Sequence, residues 1–309
     1  PDLAELAPYA LPERADGTRY QRYSEVVAAL AAPAVFENRP TYRLIDADLG
    51  STGLANTGLG TTGGPRLAFS RGRFFDGVDA SGPAGLEYAA QQGTAPGRGG
   101  PYRTALGGPT GLARRSATMA TSALTLRYDR QAGTATFPLH HRHPAKVSHA
   151  GGMYQVIPVG VFQPSGEAPW NEANDFSLWR GLLREYAEEL LGADEDHGSE
   201  RAPIDYAAWP LAKSMTDGLA DGRVGAWCLG LGADPLTFAL DLLAVVVIDA
   251  PLYDDLFGDL VDANAEGRVI KPRPFDEPTV TELIANTPLQ AAAAALLTLA
   301  LTHRDSLLA

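Results

Sequence analysis

Between Asp175 and Gly192 the run Asp-Phe-Ser-Leu-Trp-Arg-Gly-Leu-Leu-Arg-Glu-Tyr-Ala-Glu-Glu-Leu-Leu-Gly commits this chain to a packed helix. At 100° per residue, Trp179, Leu182, Leu183, Tyr186 and Leu190 fall within about 60° of one direction, an apolar stripe that another element has to cover. Asn174 or Asp175 is expected to cap the start, and Gly192 supplies a natural stop. The preceding segments read as strands. Residues 122–128 and 134–139 alternate or carry β-branched side chains, with a hairpin turn over 129–133, and 145–162 continues as strand, glycine pair, strand. After the helix, the pattern predicts a helix within 204–219, a strand over 226–231, an apolar strand over 242–248 and two helices, one after Thr279 and one over 289–303. Strands followed by packed helices predict an α/β or α+β layered domain.

The first third is less regular. A helix over 24–30 and strands over 42–47 and 66–71 flank the stretch 50–64, which is almost entirely Gly, Thr, Ser, Ala, Asn and Leu and reads as a mobile loop. Gly58-x-Gly60-x-x-Gly63 inside it matches a dinucleotide-binding fingerprint in form only, because Pro65 and a strand follow where a helix should open. A second loop-rich stretch, 93–111, precedes the better-defined strands. The expected division is an N-terminal α/β, β-rich extension over 1–115 and a main domain over 116–309, which suits 309 residues.

Charge and composition narrow the partners. A formal net charge of −12 disfavours direct binding to nucleic acid or anionic lipid and leaves an anionic small molecule possible only through local cations or a metal. The longest nearly apolar stretch, 291–301, is too short to span a bilayer, which needs roughly 20 residues. The first residues lack the pattern of a secretory signal. The single cysteine, Cys228, forbids an intrachain disulfide and reads as a strand thiol, which fits a reducing cytoplasm.

On the helical wheel Glu185, Glu188 and Glu189 occupy an arc of about 100° beside the apolar stripe, with Arg184 on the other side. Carboxylates spaced i, i+3 and i+4 repel by a few tenths of a kcal/mol per pair, roughly, when exposed. A hard divalent cation, Mg²⁺ or Mn²⁺, reverses that penalty.

Arg184-Glu185-Tyr186-Ala187-Glu188-Glu189, after the pair Gly151-Gly152, resembles the core of the Nudix box, Gly-x5-Glu-x7-Arg-Glu-U-x-Glu-Glu-x-Gly. The resemblance implies a Nudix-like α/β/α sandwich and metal-dependent hydrolysis of a nucleoside diphosphate linked to another group. It makes Glu185 and Glu189 metal ligands, Glu188 a ligand or water-activating base, and Arg184 the group that orients a carboxylate. Gly151 and Gly152 would lie at the substrate. The stretch 149–192 is also similar to the Nudix-like region of actinobacterial helix-turn-helix regulators, which implies a catalytically silent sensor of a small metabolite as the alternative. The pattern is broken in several places. Phe176 and Trp170 stand where it has Glu and Gly, Gly192 arrives one residue late, and Tyr186 replaces an aliphatic residue. About 18 extra residues precede the helix, and either Glu167 or Glu172 is a substitute for the missing carboxylate.

Other constellations point to bland roles. His140, His141 and His143, with His149 nearby, offer a weak metal signal, and Arg142 and Lys146 offer cations for an anionic ligand. Trp170, Trp179, Trp209 and Trp227 read as core, and Asp241, Asp249, Asp254 and Asp255 as caps and turns. No serine-hydrolase elbow or phosphate loop occurs. The expected assembly leaves a homodimer open.

Overall fold

The computed structural model describes residues 3–33, 36–49, 55–56, 65–91, 100–144, 150–194, 197–258 and 267–309. The chain has an α+β fold and divides into two compact units. One comprises Pro1–Asp48, Arg66–Met119 and Gly232–Leu240, and the other Leu49–Pro65, Ala120–Leu231 and Asp241–Ala309.

The first unit contains helices α1 (Leu3–Ala10) and α2 (Tyr23–Leu30) and strand β1 (Pro40–Asp48). Strand β3 (Arg66–Arg73) pairs antiparallel with β1 from Pro40↔Arg73 to Asp48↔Arg66, with a register shift between Leu44 and Asp46. Helix α3 (Phe74–Gln91) follows β3 directly, and α4 (Pro101–Leu106) falls inside the stretch expected to be loop. The two helices were hidden for the same reason. Gly and Pro punctuate both, and both hold through fixed partners rather than propensity. Glu87 accepts the backbone N–H groups of Tyr102 and Arg103 (3.0 and 2.9 Å), and Asp79 accepts that of Ser24 (2.7 Å). Residues 232–240 belong here because Arg103 donates to the carbonyls of Leu236 and Pro235 and lies over the Phe238 ring, which packs with Ala7, Ala84, Tyr102 and Leu106.

The second unit is built on one sheet. Its strands are β2 (Ala55–Asn56), β4 (Met119–Asp129), β5 (Thr134–Arg142), β6 (Tyr154–Gln155), β7 (Val159–Val161), β8 (Val224–Ala233), β9 (Leu240–Asp249) and β10 (Gly267–Pro274). The order is β10-β5-β4-β9-β8-β2, with β6 beside β5 and β7 beside β4. The β4–β5 hairpin turns as expected, because Asp129 Oδ1 accepts the N–H groups of Gln131 and Ala132 and Gly133 takes φ +65°. Of the loop over 50–64, only the short strand β2 lies within the described residues, so the glycines of the Gly58-x-Gly60-x-x-Gly63 match lie outside them, as does the strand expected over 145–149 with Lys146 and His149.

Strand β9 explains the layering. It is buried almost throughout, and its alternate residues enter different cores. Leu243, Val245 and Val247 pack with Phe137 and Leu139 of β5, with Val280 and Leu283 of α9 (Glu277–Asn286), and with Leu296, Leu297 and Ala300 of α10 (Ala291–Thr302). Ala244, Val246 and Ile248 pack against α6 (Leu178–Leu191), α7 (Pro210–Asp221) and α8 (Ala250–Phe257). Helices therefore cover both faces. None of the described helices is long and apolar enough to cross a membrane.

Within this sheet β4 and β5 pair only from Arg127↔Thr136 to Asp129↔Thr134. Beyond that they diverge, and the chain over 154–161 fills the opening. β6 pairs with His140 and His141 of β5, and β7 with Ala120, Thr121 and Ser122 of β4. Thr125 Oγ donates to the carbonyl of Ile157 (2.7 Å) and Ala123 N–H to that of Pro158 (2.9 Å), which stitches the insert to β4. Because the Thr125 proton is used there, the Tyr186 hydroxyl of α6 donates to Thr125 (2.8 Å), and burial holds that phenol above its ordinary pKa. On the same side, α7 approaches β8 through Gly218. A Cβ there would stand 2.6 Å from Val224 Cγ2 and 3.1 Å from Leu252 Cδ2. Gly218→Ala is expected to destabilise by about 1–3 kcal/mol through overpacking, despite its better helix propensity, and urea unfolding measures the loss.

Candidate functional site

Helix α6 begins one turn later than its sequence suggests. Ser177, in extended conformation, is its N-cap and accepts the N–H of Arg180 (3.3 Å), so neither Asn174 nor Asp175 caps it. Gly192 closes it in the left-handed region at φ 70°. Leu182, Leu183, Tyr186 and Leu190 are buried as the apolar stripe requires.

Freed from capping, Asp175 does something else. It is fully buried, and its carboxylate is the focus of a closed network. Oδ2 accepts the N–H and the hydroxyl of Ser165 (2.8 and 2.6 Å), and Oδ1 accepts the Tyr206 hydroxyl (2.8 Å). Arg184, 3% exposed, donates to Tyr206 Oη (2.7 Å) and to the carbonyl of Gln163 (2.6 Å), with Asp175 Oδ1 3.6 Å from Nη1. Burial alone depresses the guanidinium pKa, but Tyr206 and Asp175 outweigh it and hold Arg184 above its ordinary value. Burial likewise raises the Tyr206 phenol. Arg184 thus lies beside the Asp175 carboxylate and is linked to it through the Tyr206 hydroxyl. Glu167 is exposed, its N–H held by Glu200 (2.7 Å), and Glu172 is half-buried in a four-residue helix, α5 (Asn171–Asn174). Sequence reasoning named Asp175 only as a candidate cap, because its partners Ser165, Tyr206 and Arg184 lie 9 to 31 residues away.

The three glutamates of α6 lead to three different partners. Glu185 lies over β7, where a Cβ on Gly160 would overlap its carboxyl group. Glu188 Oε1 is 3.0 Å from His197 Nε2, whose ring stacks at 5.1 Å on Trp209. His197 takes a left-handed backbone conformation, φ +48°, to reach it. Glu189, 4% exposed, sits where β4 and β5 part. Its Oε1 accepts Val159 N–H of β7 (3.0 Å), and its Oε2 lies 3.6 Å from Nδ1 of His140, a fully buried residue of β5. Gln155 Nε2 of β6 is 3.5 Å from the same imidazole nitrogen, and Gln155 Oε1 accepts from Arg142 (3.2 Å).

A Mg²⁺ or Mn²⁺ site asks carboxylate oxygens to share one point while several waters stay bound. Glu185 and Glu189 both reach β7, at Gly160 and Val159, while Glu188 meets His197, and among the described residues no group of three or more His, Cys, Asp and Glu side chains is arranged to hold an ion. Gly151 and Gly152 belong to the turn after β5, where Gly152 N–H returns to the Arg142 carbonyl (2.9 Å). The glycine that meets the acidic helix is Gly160.

The remaining sequence candidates separate. Trp170 is partly exposed, with its indole N–H on the Ser199 carbonyl (2.9 Å), and Trp179 donates to Thr216 (3.0 Å). Asp241 is no turn residue, because it is buried and accepts from Ser122 Oγ (2.8 Å). Asp249 and Asp254 pair with Arg130 and Arg127. Cys228 lies in β8, and burial raises its thiol pKa.

No protein-family profile matches this chain, and no curated protein does.

The Asp175 network is open to direct measurement. Asp175→Asn leaves Arg184 buried without its counter-charge, and the expected loss is about 3–5 kcal/mol in urea unfolding. A loss under about 1 kcal/mol, the size of an exposed pair, contradicts the network as described.

Proposed function

We propose that the unit formed by Leu49–Pro65, Ala120–Leu231 and Asp241–Ala309 is a Nudix-like domain that binds a small anionic metabolite without hydrolysing it, as the sensor part of a regulator. The observation that carries this reading is the position of Glu189. The side chain that the box resemblance makes a metal ligand spends one oxygen on a backbone amide of β7 and turns the other to a buried histidine of β5, so it joins these two strands. Glu188 is similarly engaged by His197. The strongly negative chain disfavours direct contact with DNA, so the report passes to a partner or to another segment.

The hydrolase reading keeps one specific support, the buried Arg184–Asp175 pair, which matches the role the box gives its arginine. In that reading Glu185 and Glu189 hold Mg²⁺ or Mn²⁺, which polarises a phosphoryl oxygen and supplies a hydroxide, and Glu188 is the base.

One experiment separates them. Wild type and Glu189→Gln are titrated with Mn²⁺ and with a panel of nucleoside diphosphate compounds, reading thermal stability and phosphate release together. The expected outcome is no metal-dependent release by either protein, a rise in wild-type melting temperature with at least one compound, and a loss of about 1–3 kcal/mol in Glu189→Gln from the weakened acceptor. Metal-dependent release by wild type that disappears in the variant overturns the proposal in favour of the hydrolase. Absence of both release and stabilisation leaves a protein–protein interaction domain.

A further inference from the structure

The protein buries two arginines to the same extent, Arg184 in one unit and Arg115 in the other, each 3% exposed. They make an internal comparison. Arg184 has a carboxylate, a phenol and a carbonyl around it. Arg115 has far less. Its Nη2 donates to the Pro109 carbonyl (2.7 Å), its guanidinium carbon stands 5.8 Å from the Phe238 ring centre, and its Nε makes no hydrogen bond.

No carboxylate among the described residues pairs with Arg115. The two acidic groups that act on the neighbouring Tyr102, Asp79 and Glu87, are committed to the backbone N–H groups of Ser24 and of Tyr102 and Arg103. Arg43 donates to the backbone carbonyl of Arg115 (3.1 Å), and its own Nε also lacks a partner. The Tyr102 hydroxyl is spent on the carbonyls of Asp79 and Ala80. Burial accordingly pulls the Arg115 guanidinium down to about 10, the reverse of what happens at Arg184.

An isolated buried charge costs several kcal/mol, roughly, unless a counter-charge compensates it. At Arg184 the chain supplies that charge as Asp175. At Arg115 it supplies none: the turn 107–111 meets the guanidinium through the Pro109 carbonyl, and Nε is buried without a hydrogen-bond partner. We infer that Arg115 is the anchor of a binding site for a small oxyanion, a carboxylate or phosphate group, which takes the place Asp175 holds beside Arg184. The Nε–H is the donor left for such a group to accept from. This site is independent of the Nudix-like reading, because it lies in the other unit.

The test uses the full chain in buffers of constant ionic strength balanced with chloride. Inorganic phosphate and acetate are added separately at millimolar concentration, and melting temperature is followed for wild type and for Arg115→Met. The expected result is a rise of about 2 °C or more in wild type with at least one anion and none in the variant. Phosphate alone identifies a tetrahedral oxyanion, and acetate alone a carboxylate. In chloride, Arg115→Met is expected to be at least as stable as wild type, because it removes an uncompensated buried charge. The inference is overturned if neither anion moves wild type or if the variant responds equally. Should Arg115→Met not fold, Arg115→Gln replaces it.

Discussion

A carboxylate buried where a sheet divides is the constraint around which the second unit is organised. β4 and β5 share only three paired positions, and the chain that fills the opening has two very short strands of its own. Such strands contribute little by themselves, since pairing needs several residues and a covered face to be stable. Glu189 supplies what the short strands lack. It meets β7 through a backbone amide and β5 through His140, while Tyr186, one turn earlier on the same helix, reaches β4 through Thr125. Helix α6 is therefore a clasp as much as a layer.

The same helix holds the segment before it. Arg184 fixes Gln163 and, through Tyr206, the carboxylate of Asp175, so residues 163–177 are tied at both ends. Asn171 and Trp170 add bonds to Ser199. A run of this length without long regular structure stays in one conformation because its polar groups find partners inside. Arg184, Tyr186 and Glu189 of α6 thus each hold a neighbouring segment in place.

Much of this architecture was legible from side-chain pattern alone. Strands β4, β5, β8 and β9 and helices α6, α9 and α10 follow from alternation, β-branching and a 3.6-residue stripe, signals written locally. Helices α3 and α4 were not legible, because Gly82, Pro83 and Gly85 interrupt one and Gly100 and Pro101 open the other, and their support comes from Glu87 and distant carbonyls. At the site, the wheel placed the three glutamates on one arc. It could not say where each would lead. Their partners, His140, Val159, Gly160 and His197, lie 9 to 49 residues away in sequence, and which of two nearby polar residues caps a helix and which is buried depends on Tyr206. Cooperation over such distances leaves no periodic trace.

The return of residues 232–240 to the first unit has an evolutionary and practical consequence. Phe238, over which both Arg103 and Arg115 lie, is encoded between two strands of the other unit's sheet. Neither half of the gene is thus a self-sufficient cassette. A fragment ending near Met119 would part Arg103 and Arg115 from the aromatic ring they lie over and leave the first unit's core incomplete.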